Sequence, residues 1–268
     1  MPAVPLDRLT EQIDSIFLPD HPGEVFIKDF LNLISIHGNY AYRAGDTVQR
    51  KSLLPVLRVA PVVMNAIQNK FRLLCEQDPE TALDYADQLW NVELYECKYF
   101  ASIIIGTLPN EYRDQVISRF VDWSSSTTDR EIHQILFKNG SSTIIKHNSS
   151  EWLSIISEWI DKSSVPYTLT AIYALQSLVQ DSSFINFPKV FNILTPLFMI
   201  DHRKITSGMV ILFETLATQN PIETSYFLSN LLLTTTNPNA KQITKKTLKY
   251  FPAAEQKKLR SILSNLND

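Results

Sequence analysis

Leu89-Trp90-Asn91-Val92-Glu93-Leu94-Tyr95-Glu96-Cys97-Lys98-Tyr99-Phe100-Ala101, running on to Gly106-Thr107-Leu108-Pro109, is the stretch that decides the fold. Trp90 closes one helical pattern, and Glu96, six residues on, opens the next. The second pattern places Tyr99, Phe100, Ile103, Ile104 and Leu108 at the three- and four-residue steps of one helix face. The stretch reads as a helix, a short turn and a second helix.

Working outward, the same unit recurs. Asp78-Pro79-Glu80 opens a helix to about Trp90, Pro109 precedes one from about Glu111 to Trp123, and Pro188, Pro221 and Pro238 sit where a first-turn proline costs no hydrogen bond. Asn148 with Glu151 has the spacing of a capping box before Trp152–Ile160. The starts at 79, 109, 148, 188 and 221 are separated by 30, 39, 40 and 33 residues, and each interval holds two helices. The pairs are 79–90 with 95–107, 111–123 with 129–146, 150–160 with 167–180, 188–198 with 204–218, and 222–234 with 239–251. A capping helix over 253–266 follows. A two-helix unit repeated every 30–45 residues is the mark of an α-solenoid, and no strand-like alternation of useful length competes with it. The expectation is a single all-α domain over 1–268 with about five to seven helix pairs: N-terminal helices and a loop over 1–54, repeats over 55–252, and a cap over 253–268. Within the N-terminal part, Leu6–Leu18 and Gly23–Ile36 read as helices, 37–54 as a loop, and 56–75 as the next helix.

Composition agrees. Six glycines against 14 prolines in 268 residues suit helices joined by short turns better than glycine-rich sheet folds. Two cysteines, Cys75 and Cys97, fall within helical apolar patterns and form no disulfide framework. The N-terminus has no basic region followed by an apolar one, and no apolar run reaches the ~18–20 residues of a membrane span. These features lead to the expectation of a cytoplasmic, monomeric protein with no membrane, metal or cofactor requirement.

The net charge of −3 hides strong local asymmetry. Residues 43–72 carry Arg43, Arg50, Lys51, Arg58, Lys70 and Arg72 against Asp46, while 241–260 carry seven bases against Glu255. Residues 76–96 carry seven acids and no base. Lys241, Lys245 and Lys249 stand four apart on one face, with Lys246 beside them. Point charges one helical turn apart can track a phosphate backbone, and they equally suit a solvated outer face. Trp152, Ile155, Ile156 and Trp159 share one helix face and read as core.

Catalytic signatures are absent: no G-x-G-x-x-G, P-loop, H-E-x-x-H, C-x-x-C or G-x-S-x-G occurs. The five histidines are never three or four apart, so helical spacing offers no metal pair.

The wording from Leu89-Trp90 through Glu96 and Ala101 to Gly106 and Pro109 resembles the HEAT-like DNA alkylation repair family. Pro55-Val56-Leu57-Arg58-Val59-Ala60 resembles one of its helix openings. Lys245-Lys246-Thr247-Leu248-Lys249-Tyr250-Phe251-Pro252 is similar to a closing HEAT-type repeat. The resemblance implies a C-shaped solenoid whose positive concave face holds duplex DNA. In active members, Trp side chains and an Asp in that cleft remove N-alkylated purines without drawing the base into a pocket. The family's Trp stands four residues before its Asp. Here Trp123 and Asp129 are six apart, and Pro166-Tyr167-Thr168 replaces the Trp-x-Arg-Arg wording of the next repeat.

Under the resemblance, Asp129 is an anion for the positive charge that develops on deoxyribose, with Trp123 or Tyr167 as an aromatic face for a cationic lesion. As a cap, Asp129 instead opens the helix that follows Thr128. The expected DNA contacts are Arg43, Arg50, Lys51, Arg58, Lys241, Lys245 and Lys249. The leading expectation is a DNA-binding relative of these glycosylases with a degenerate or altered active site, bound to duplex or branched DNA. The alternatives are an active N-alkylpurine glycosylase and a HEAT-type scaffold with a protein partner.

Overall fold

The computed structural model describes residues 6–17, 23–38, 52–181, 184–234 and 238–265; Arg43, Arg50 and Lys51 lie outside them. Among the described residues there are helices and turns and no strand, as the period predicted. In chain order the α-helices are α1 (Leu6–Asp14), α2 (Gly23–Ile36), α3 (Pro61–Gln77), α4 (Pro79–Asn91), α5 (Tyr95–Thr107), α6 (Arg113–Ser125) and α7 (Arg130–Gly140). They continue with α8 (Ser142–Asp161), α9 (Val165–Val179), α10 (Phe187–Leu194), α11 (Arg203–Gln219), α12 (Pro221–Thr234), α13 (Pro238–Thr247) and α14 (Ala253–Asn265). No helix among these residues is long and apolar enough to cross a membrane.

The chain forms two compact units, Met1–Asn148 and Ser149–Asp268, divided within α8. In each, helices pack on the neighbour two places along the chain: α1 on α3, α2 on α4, α3 on α5 and α5 on α7 in the first, α9 on α11, α11 on α13 and α12 on α14 in the second. That alternation is what stacking two-helix repeats produces, because each repeat buries its apolar stripe against the next. The first core is aromatic. Phe26 stacks on Tyr85 at 3.8 Å, and Phe30 and Phe71 each meet Phe100 at 5.6 Å. The second core gathers Phe191, Phe198, Phe213 and Phe227. Trp152, Ile155, Ile156 and Trp159 are buried, as their spacing predicted, and the two indoles meet edge to face.

Several expected elements differ. The helix expected over Leu6–Leu18 stops at Asp14, and those expected over 188–198 and 239–251 pass into 3-10 turns after Leu194 and Thr247. The helix expected over 56–75 starts at Pro61, because proline disfavours helical geometry in the residue before it, and Ala60 is extended (φ −59°, ψ 140°). Residues 55–60 instead form a strap. The helix expected over 129–146 ends at Gly140, and α8 then runs unbroken through 148, so no helix starts there. The break arises from packing. Gly140 sits against Ile105 and Phe120, and the Ser142 and Thr143 hydroxyls both donate to the Gly106 carbonyl, at 2.7 and 2.6 Å, which starts α8 there.

Candidate functional site

Asp129 is the N-cap of α7, as its position before Arg130-Glu131 suggested. Its Oδ1 accepts the Glu131 N–H at 2.9 Å. Its Oδ2 accepts both the Ser52 hydroxyl and the Leu53 N–H, each at 2.6 Å. Burial pushes the Asp129 carboxyl up, but the Ser52 hydroxyl and the backbone N–H groups of Leu53, Glu131 and Ile132 outweigh it and hold the group below the usual carboxylate range. The carboxylate is buried and ionised, and its oxygens are engaged by the protein itself.

The other end of the strap is held by a second buried acid. Glu96 Oε1 accepts the Arg58 N–H at 2.9 Å, and Pro55 O accepts the Tyr95 N–H at 3.0 Å. Arg58 has φ +56°, a left-handed conformation that a residue with a β-carbon holds only when its surroundings fix it. Glu96 Oε2 is buried without a hydrogen-bond partner among the described residues, so this anchor is less complete than Asp129. The two acids sit in the opening turns of α5 and α7, where the helix dipole favours a negative charge. Between them, burial and the nearby Glu131, Tyr99, Glu96 and Asp129 push the Tyr95 hydroxyl up to about 12, so it stays protonated.

Trp123 is 6 % exposed and stacks flat on Trp90, centroids 4.4 Å apart at 7°. Trp90 Nε1 donates to Ser126 Oγ at 3.1 Å, and Ser126 in turn donates to the Trp123 carbonyl. Lys98, also buried, lies 4.9 Å over the Trp90 ring and donates to the Trp90 carbonyl and to Glu93. A lysine, two indoles and a serine thus tie α4, α5 and α6 together. Beside them, His133 Nε2 donates to the Ser124 carbonyl at 2.9 Å, and burial lowers its pKa, which keeps the ring neutral.

Tyr167 stands in the first turn of α9, in the second unit, with the Lys162 ammonium 4.1 Å over its ring. One aromatic face is therefore already occupied by a cation. Of the expected DNA contacts, Arg58, Lys245 and Lys249 are exposed and Lys241 is half-buried. Arg58 belongs to the first unit and the three lysines to the second. Lys241 and Lys245 are on α13, and Lys249 is on the 3-10 turn Leu248–Tyr250 that follows it. Among the described residues, no group of three His, Cys, Asp or Glu side chains is placed to hold a metal.

Charge spacing pointed to the exposed Lys245 and Lys249, and cap chemistry pointed to Asp129. Ser52, Lys98 and Ser126 were missed, since each works through a partner distant in sequence; the Ser52–Asp129 bond spans 77 residues. The sequence marks Glu96 only as a helix opener.

The sequence model of one family, the DNA alkylation repair enzymes, matches residues 51–258. The chain belongs to that family. Comparison with curated proteins and with solved structures gives no match. The DNA alkylation repair match begins just before the strap and ends within α14, so it takes in Asp129, the Trp90–Trp123 stack, Tyr167 and the lysines of α13, and leaves α1 and α2 outside. Cys75 and Cys97 are free thiols, both buried, and burial pushes both up to about 12. Neither is an activated nucleophile.

Proposed function

We propose that this member of the DNA alkylation repair family is a cytoplasmic protein that binds DNA along its phosphate backbone and that its glycosylase centre is altered or lost. One observation carries the second half: the Asp129 carboxylate accepts three hydrogen bonds from its own chain. An anion meant to meet the positive charge developing on a deoxyribose has to face that sugar. Asp129 instead faces a strap and a helix end, and Trp123 turns its ring to Trp90. The first half is supported by family membership and by the exposed bases Lys245 and Lys249.

The test is duplex binding by the full chain across a salt series. We expect affinity to fall with salt, and Lys245→Glu with Lys249→Glu to flatten the log–log slope by about 1.8, since each phosphate contact is worth roughly 0.9. No binding at about 50 mM salt overturns the DNA reading, because phosphate contacts are strongest there. Incubation with alkylated DNA is expected to release no 7-methylguanine above background. Release that disappears in Asp129→Asn overturns the altered centre in favour of an active glycosylase.

A further inference from the structure

The second unit presents an apolar row where a solvated helix face is expected. On α12, Ile222, Tyr226 and Leu233 are 70 %, 62 % and 68 % exposed. At 100° per residue they fall within an arc of about 40°, and they span about 16 Å along the axis. The buried hydroxyls of the same helix are spent on main-chain carbonyls: Thr224 donates to those of Leu216 in α11 and Asn220, and Ser229 to that of Ser225. Ser225 donates to the Ile222 carbonyl and to Glu255 of α14. Single exposed apolar residues are ordinary, whereas three in one row on a regular helix mark a contact surface.

Charge selects the occupant. Residues 221–265 contain seven bases against two acids, Glu223 on α12 and Glu255, whose carboxylate accepts the Ser225 hydroxyl. On α14, which packs along α12, Lys257, Lys258 and Arg260 are exposed, and the Lys258 ammonium lies 5.9 Å over the Tyr226 ring. An apolar row with a cationic edge complements an amphipathic helix whose apolar stripe is flanked by carboxylates. Duplex DNA offers phosphates and no stripe to meet isoleucine and leucine. A second copy brings the same cationic edge to its own. We infer that the α12–α14 face docks an acidic amphipathic helix of another protein.

The probe is a labelled peptide of about 18 residues with leucines at i, i+3/i+4 and i+7 and glutamates flanking them, set against a twin with lysines in place of the glutamates. Fluorescence anisotropy with the full chain is expected to give binding of the glutamate peptide at least about tenfold tighter than its twin, a preference rooted in charge complementarity. Tyr226→Glu with Leu233→Glu removes that binding at unchanged helicity and melting temperature, and Lys258→Glu, which leaves the apolar row intact, narrows the preference between the peptides. Absence of binding, equal binding of both peptides, or binding retained in the double variant overturns the assignment. A concentration-dependent dimer that the double variant loses assigns the face to a second copy instead, and loss of DNA affinity in that variant assigns it to nucleic acid; either result overturns the proposal. Because the DNA test rests on Lys245 and Lys249, the two readings fail separately.

Discussion

Each unit has a helix crossing with a glycine in it, and the two glycines meet different neighbours. In the first unit, a Cβ on Gly106 of α5 would stand 1.9 Å from the Asn139 carbonyl oxygen and 2.8 Å from Ser142 Oγ. In the second, a Cβ on Gly208 of α11 would stand 3.2 Å from a γ-methyl of Ile172 and 3.6 Å or more from anything else. The first crossing is backbone against backbone, laced by the Ser142 and Thr143 hydroxyls on the Gly106 carbonyl and by Asn139 Nδ2 donating to Ser102. The second is side chain against side chain. The same repeat architecture is thus locked by polar geometry in one unit and by repackable apolar contact in the other. The candidate chemistry follows the same division: around α5 and α7 the Asp129 carboxylate and the Gly106 carbonyl are satisfied internally, with Glu96 Oε2 the exception, while Lys245, Lys249 and the apolar row of the second unit face outward.

Gly106→Ala should give the largest effect. No rotamer relieves a methyl group set against a main-chain carbonyl, so α5 and α7 must separate. The Ser142 and Thr143 hydrogen bonds to the Gly106 carbonyl go with them. The expected cost exceeds about 3 kcal/mol, at the upper end of overpacking penalties. Urea unfolding of the variant measures it, and a loss below about 1 kcal/mol would break the contrast by making the first crossing as yielding as the second.

Asp129→Ala comes next. It removes an N-cap worth about 1 kcal/mol and strands the Ser52 hydroxyl and Leu53 N–H, each costing about 1 kcal/mol more, so roughly 3 kcal/mol in all. Its pH signature is separable. The folded pKa of Asp129 lies below the ordinary value of 3.8, so its contribution is complete above that pH and drains away as pH falls through the lowered folded value. His133 is also depressed, from 6.5, so the stability that its neutral form provides is present above 6.5 and is lost as pH falls from there toward the folded value. Acid titration of the unfolding midpoint should therefore decline in two stages, with Asp129→Asn flattening the lower one and deepening the upper, because the Asp129 charge holds the His133 pKa closer to its ordinary value. An unchanged lower stage in that variant would mean that the strap is held by Glu96 alone.

How much of this was legible in the sequence follows from how local each cause is. The pair 79–90 with 95–107 matches α4 and α5 almost residue for residue, because its stops are written nearby: Pro79 at the first turn, Asp78 accepting the Thr81 N–H, and Pro109 beyond the second helix. The cap role of Asp129 was legible for the same reason. The break at Ser141 was not, since its causes, Ile105, Gly106 and Phe120, lie in earlier helices, α5 and α6. Nor was the strap: Pro55-Val56-Leu57-Arg58-Val59-Ala60 carries an apolar pattern that a helix can also use, and only Glu96 and Asp129, brought in by the fold, decide otherwise. The lysines of α13 were legible as a charged face because burial and charge alternate locally along a helix. What those lysines meet is not written locally at all.

Gly208→Ala is the smallest effect expected, and its sign depends on two opposing quantities. Replacing glycine inside a helix gains about 0.5–1 kcal/mol of backbone entropy. Against this, the new methyl meets Ile172 at 3.2 Å, closer than ordinary van der Waals contact but against a branched side chain in an apolar layer that can move by a few tenths of an ångström. Leu169 Cδ2, 3.7 Å away, adds only ordinary contact. The two terms nearly cancel, so the unfolding free energy should shift by less than about 1 kcal/mol in either direction. A cost above about 2 kcal/mol would put this crossing in the overpacked class. α9 and α11 would then be as rigidly placed as α5 and α7, and the difference between the units would reduce to which polar groups each leaves facing outward.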